Sequence, residues 1–264
     1  MMGGKPAAAG AVTTPNLPHV GDSILPDGGC IRWHAAFREM GSTIALEVQA
    51  VTTASTARIQ TANVLFNRNP YALAPATSGP VTASQVCTGA SVGAWTVPTV
   101  HSAAHMAPGR ALIEVGIQLS DLAVIGASAR FTVPMPAALQ FDFPAEMAKV
   151  DFAQQWKGLP ASLERTLALP PSLAQLVHDP TELGRRVRHV RGGVVHEMTV
   201  GPAPMQYVVF GTFKTRSGST LFFEIKCCTD VSRSSCVVKA SADIDAQLCL
   251  VDVAVRAMAE QQVT

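Results

Sequence analysis

Ser23 stands in the block Gly21-Asp22-Ser23-Ile24, and a serine beside an acid raises the question of nucleophilic chemistry. A serine hydrolase also needs a histidine to take the hydroxyl proton and an acid to orient that histidine. A common source is a later Asp-x-x-His, but no Asp in this chain is followed by His three residues on. His101 and His105, four apart, have the spacing at which one helix face can offer two ligands to zinc. Ser102-Ala103-Ala104 between them, with Pro98 and Pro108 nearby, read as a loop, and no third ligand is evident. Six cysteines lie at 30, 87, 227, 228, 236 and 249. Neighbouring Cys227 and Cys228 on a strand would point to opposite faces, and there is no Cys-x-x-Cys. Reduced thiols of a cytosolic protein are expected. No Gly-x-x-x-x-Gly-Lys-Ser/Thr or Gly-x-Gly-x-x-Gly loop is present, and the scattered carboxylates define no acid–base pair. The expectation is no catalytic residue, no metal and no cofactor; a hydrolase acting through Ser23 stands only as an alternative.

The elements that would position a site come in two kinds. Of 264 residues, 48% are hydrophobic and 15% charged, enough for a real core, and the net charge is +1. That balance supplies no global basic field for nucleic acid or membrane surfaces, and Arg185, Arg186, Arg188 and Arg191 read as a solvated helix end. No apolar stretch of about 18 residues predicts a membrane span, and no secretion-signal core is seen. Residues 1–27, rich in Ala, Gly, Pro and Thr, read as a flexible linker.

From residue 28 to 140 the pattern has period two. Ile44, Leu46 and Val48 alternate with Glu47 and Gln49; Ile113, Val115, Ile117 and Leu119 alternate with Glu114 and Gln118. Half-buried antiparallel strands of this number predict an immunoglobulin-like β-sandwich. Beyond Phe141 the period becomes helical. Pro144-Ala145-Glu146 should open a helix in which Phe152 and Trp156 share a face, stopped by Gly158 and Pro160. A weaker helix is expected over Ser172–Arg188, and strands over Gln206–Lys214, Thr220–Lys226 and 234–240. Ile244, Leu248, Val251, Val255 and Met258 form one stripe of a last helix. Residues 141–264 thus predict an α+β platform, an antiparallel sheet with helices covering one face.

Several stretches, in this order, resemble the C-terminal appendage (ear) of β-adaptins, subunits of clathrin adaptor complexes. Phe66-Asn67-Arg68-Asn69-Pro70 looks like the Phe-Asn-Lys-Asn stretch of that family. Arg130–Pro136 is similar to its last sandwich strand, and Met147, Phe152, Trp156, Lys157 and Pro160 match its first platform helix in spacing. Met205-Gln206-Tyr207 is similar to its Met-x-Tyr. The resemblance spans about residues 30–260. It implies a binding module, not an enzyme. Helical motifs of accessory proteins would dock in a platform groove, clathrin would be a further partner, and a trunk absent from this sequence would join other adaptor subunits at coated vesicles or pits.

Carried over position by position, the groove would hold Trp156, Lys157, Glu164, Tyr207 and Glu224, the two Glu receiving an arginine of a peptide that also brings Phe and Leu. Two positions depart from the family. Met198 and Thr199 lie where an Arg is expected before the Tyr, and Arg130 lies where a sandwich-side site has a Tyr. Other appendages, of α- or γ-adaptin or the coatomer γ subunit, would share the fold with different ligands, and a structural coat piece would lack the groove.

Overall fold

The structure, a computed structural model, describes residues 17–24, 29–51, 61–83, 91–105, 107, 112–119, 128–201, 205–240 and 244–260. The strands of the first half run β1 (His19–Ile24), β2 (Cys30–Met40), β3 (Thr43–Val51), β4 (Thr61–Phe66), β5 (Leu73–Pro75), β6 (Val81–Thr82), β7 (Ser91–His101), β8 (Leu112–Leu119) and β9 (Ser128–Pro134). They form an antiparallel sheet ordered β1-β2-β3-β7-β5 and another ordered β6-β4-β8-β9. The predicted alternation is what buries them: Ile113, Val115, Ile117 and Leu119 point inward, and Glu114 and Gln118 do not. Rings from the two sheets meet, Trp33 with Phe131 at 6.1 Å and Phe37 with Phe66 at 5.9 Å. Facing sheets with a shared apolar interior follow.

The Phe66–Pro70 stretch does structural work here. Asn69 is buried, its amide donating to the carbonyls of Asn67 and Leu73 while its oxygen accepts from Leu73 N–H. That clip holds Ala72 at φ 54°, a left-handed conformation a non-glycine residue adopts only when its surroundings impose it.

One expectation for the N-terminal end needs correction. Residues 19–24 are not linker: they form β1, paired with β2 from His19↔His34 to Ile24↔Cys30, while 1–16 and 25–28 lie outside the described residues. Ser23 accepts a hydrogen bond from the Trp33 indole at 2.9 Å and donates to the carbonyl of Ser128 at 3.2 Å. Its hydroxyl serves packing.

The second half begins with α1 (Ala137–Gln140) and β10 (Phe141–Asp142), followed by α2 (Lys149–Gly158), β11 (Glu164–Ala168), α3 (Pro171–Ala174), α4 (Pro180–His189) and β12 (Gly193–Val200). It ends with β13 (Gln206–Thr215), β14 (Thr220–Cys228), β15 (Ser235–Ala240) and α5 (Ile244–Glu260). The sheet order is β10-β13-β14-β15-β11, with β12 on the remaining length of β13's outer edge. No described strand before Pro134 pairs with one after Phe141. Val209, Phe213, Phe223, Ile225 and Val238 are fully buried in the core cluster they share with α3, α4 and α5.

The expectation that helices cover one face only is corrected, because α2 lies on the other: its Phe152 ring touches Phe210 and Phe222 of the opposite parity. That helix starts at Lys149, not Pro144. Phe143 sits under the Arg191 guanidinium at 4.5 Å, and Pro144 packs so closely on Gly193 that a Cβ there would lie 2.6 Å from its Cγ. Those contacts hold the segment extended. The weak helix over 172–188 is split at Asp179-Pro180, since a residue before proline avoids helical backbone. Asp179 then caps α4, accepting from Glu182 N–H at 3.1 Å. Of the predicted α5 stripe only Leu248 is half-exposed; Gln247, Leu250 and Ala254 are buried with the rest.

The two halves meet at an ion network. Glu39 of β2 accepts from Arg191 at 2.6 Å and from Arg216 at 3.5 Å, and Arg216 also reaches Asp142 at 3.1 Å. Among the described residues no helix is long and apolar enough to cross a membrane.

Candidate peptide-binding groove

The outer face of the platform sheet is only partly covered. α2 lies across it with Phe152 buried beneath, stacked on Trp156 at 5.6 Å. Lys149, Ala153 and Trp156/Lys157 recur at helical spacing along the side of α2 that faces β12 and β13. Opposite them stand His196 and Met198 of β12 and Phe210 of β13. Between these walls lies an apolar groove of about 290 Å³. Trp156 is half-buried, Lys157 exposed, and Met198 keeps 41% of its surface open. The Lys149 ammonium donates to His196 Nε2 at 2.8 Å, and the His196 ring stacks on Phe210 at 6.3 Å.

Strand register decides which expected residues join this surface. Direct antiparallel partners share a face. Phe210 pairs with Glu224, and Phe222 with Lys239, which pairs in turn with Glu164. All five therefore lie on the outer face. Lys239 bonds Glu164 at 3.0 Å and places its ammonium 4.8 Å above the Trp156 ring. Half-burial pushes the Glu224 carboxyl above its ordinary range, Lys226 and Lys239 pulling it down and Glu164 adding to the rise.

Tyr207 does not belong. Three residues from Phe210 on one strand, it points to the opposite face, where it is 3% exposed and donates to Glu197 Oε2 at 2.6 Å. Burial and that carboxylate raise the phenol above its ordinary range. The expected surface of Trp156, Glu164, Tyr207 and Glu224 is thus corrected: Trp156 and Lys157 line the groove, Phe210 takes the aromatic place, and Glu164 and Glu224 share the outer face without being among the lining residues. Its direct pairing with Glu224 is what places it there. His196 and Met198 gave no such signal, because β12 lacks an apolar alternation.

His101 Nδ1 bonds the Tyr71 carbonyl at 3.1 Å. Burial pushes the Cys227 and Cys236 thiols up to about 12, where they are inert. Among the described residues no three His, Cys, Asp or Glu gather as metal ligands. Arg130 is exposed and paired with Glu114 on the neighbouring strand. Cys87 lies outside the described residues. No protein-family model matches the chain, and no curated protein matches it.

Proposed function

We propose that this chain is a protein-binding appendage, of the β-adaptin kind, that captures helical segments of accessory proteins during clathrin-coated vesicle formation. The observation that carries the reading is the apolar groove of about 290 Å³ walled by Trp156, Met198 and Phe210. An amphipathic helix binds such a groove by a few apolar anchors at i, i+3/i+4 and i+7. The groove lies beside the residue that the family resemblance singles out, Trp156, and on the outside of the platform that the resemblance expects. On this reading the facing sheets of residues 29–134 are an immunoglobulin-like sandwich, clathrin and accessory proteins are the partners, and the place of action is the surface of coated vesicles or pits. Calorimetry tests it. A helical peptide with Phe and Leu anchors should bind with a Kd on the order of micromolar, about 8 kcal/mol, and Trp156→Ala should weaken it about thirtyfold. Equal binding by wild type and folded Trp156→Ala would place the peptide elsewhere.

A further inference from the structure

Among the described residues that line the groove three are bases, Lys149, Lys157 and His196, and none carries a carboxylate. Lys149 at the start of α2 and His196 on β12 meet at 2.8 Å. An ammonium only donates, so Nε2 of His196 accepts, and the ring is neutral with its proton on Nδ1. Lys149 is exposed; His196 is half-buried, with its ring against Phe210. Among the described residues no acid pairs with either group. Asp151 stands two residues from Lys149, off the side of α2 that faces the groove. Glu197, next to His196, points to the opposite face, toward Tyr207 and α4. Glu224 lies beyond Phe210 in the same row of the sheet, with Lys226 and Lys239 beside it. This end of the groove thus sets a cation against a neutral base.

We propose that Lys149 and His196 form a carboxylate subsite at this end of the groove, so that the captured helix brings an Asp or Glu side chain there and its binding draws a proton from solvent. This rests on the groove reading above. A carboxylate reaching both groups accepts from the Lys149 ammonium and, once His196 takes a proton, from Nε2–H, both as charge-assisted hydrogen bonds. Histidine is the side chain that changes charge between about pH 5 and 8. One that gains a carboxylate partner in the complex holds its proton more tightly there than in the free chain. Its contribution to binding is therefore present at low pH and is lost as pH rises through the complexed value. Lys157, eight residues and about 12 Å further along α2, is exposed at the other end and adds no such dependence.

The test uses the full chain and two end-blocked helical peptides of about 16 residues, long enough to hold some helix. They share Phe and Leu anchors; one carries Glu a turn before and a turn after the anchors, the other Gln at the same positions. Calorimetry on wild type should favour the Glu peptide about fivefold at about pH 6 and only about twofold at about pH 8. Between those values the heat of binding the Glu peptide should vary with the ionisation enthalpy of the buffer, which reports net proton uptake; that of the Gln peptide should not. His196→Gln should end the uptake and flatten the pH profile, and Lys149→Met should lower the preference for Glu throughout. If wild type binds both peptides alike at the lower pH, or if His196→Gln leaves the uptake unchanged, the subsite is overturned; weakening of both peptides by Trp156→Ala then keeps the groove reading. If neither peptide binds, both fall. A dimer seen by sedimentation of the chain alone and lost in Trp156→Ala would assign the groove to a second copy and overturn the proposal.

Discussion

The two faces of the platform sheet are made by the same strands and could hardly differ more. Along β13 and β14 one parity reads Val209, Phe213, Phe223 and Ile225, all fully buried in the core with α3, α4 and α5. The other parity reads Phe210, Phe222, Glu224 and Lys226, under a single helix that leaves a groove at its side. A one-residue step therefore separates a side chain that holds the fold from one that can hold a ligand. The inner face is mostly apolar and buried, with Tyr207 and Glu197 at its margin. The outer face pairs Lys239 with Glu164 and leaves lysines at its rim, where salt screens them.

The comparison breaks first if the inner face proves dispensable. Phe223 is fully buried with its ring 4.7 Å from Phe213, and a Cβ on Gly211 would meet it at 2.4 Å. Phe223→Ala should cost about 3–5 kcal/mol, read as a lowered midpoint in urea with little change of slope. A loss below about 1 kcal/mol would show that this face can repack and is not the core.

Next comes the outer face. Trp156→Ala should cost about 2 kcal/mol of peptide binding but only part of the stability lost in Phe223→Ala, since the indole is only partly buried. If instead it unfolds the chain, Trp156 belongs with the core and the contrast between faces dissolves. Calorimetry beside circular dichroism on one preparation distinguishes the two.

The inner strands and α5 are legible in the sequence because burial on one side writes a period into the residue order. Ile113 to Leu119 and Ile244 to Met258 show it. Two strands left no such record. β1 is a polar edge strand, His-Val-Gly-Asp-Ser-Ile, with no apolar alternation to mark it. β12 is an edge strand with a register shift between Val194 and His196, which slips the alternation halfway along. His196 and Met198 of the groove wall come from that strand, so the wall is legible chiefly on its α2 side. The spacing of a motif points Tyr207 at the site, and parity relative to Glu224 overrules that spacing. The junction of Glu39, Arg191 and Arg216 left no trace either, being made by residues far apart in the chain.

Tyr207 offers a sharper and smaller test. Tyr207→Phe removes only the hydrogen bond to Glu197, whose carboxylate is exposed and can rehydrate. The expected cost is about 1 kcal/mol of stability, and peptide affinity should not move. A loss of binding comparable to Trp156→Ala would mean that the two faces communicate, or that the phenol reaches the ligand after all.

The smallest effect is a pH dependence of stability. Glu224 has its folded-state pKa raised, chiefly by burial. A carboxyl shifted upward binds its proton more tightly in the native state than in the unfolded chain, so native stability is favoured below the unfolded pKa and is lost as pH rises through the folded value. At neutral pH Glu224 is therefore a mild liability. Glu224→Gln removes it, and should raise stability at pH 7 by about 0.5 kcal/mol, a figure kept small because the carboxylate is half open to screening water. Below about pH 4, where carboxyls protonate in both states, variant and wild type should coincide. Glu39 carries the opposite sign: the Arg191 hydrogen bond holds its carboxyl below the ordinary range, so its contribution is present above the unfolded pKa and fades as pH falls through the folded one. Urea midpoints of wild type, Glu224→Gln and Glu39→Gln across that range separate the two, because one variant should gain at neutral pH and the other lose. If Glu224→Gln is less stable than wild type at pH 7, then Lys226 and Lys239 outweigh burial, and the outer face is held together by its charges as firmly as the inner face is by its rings.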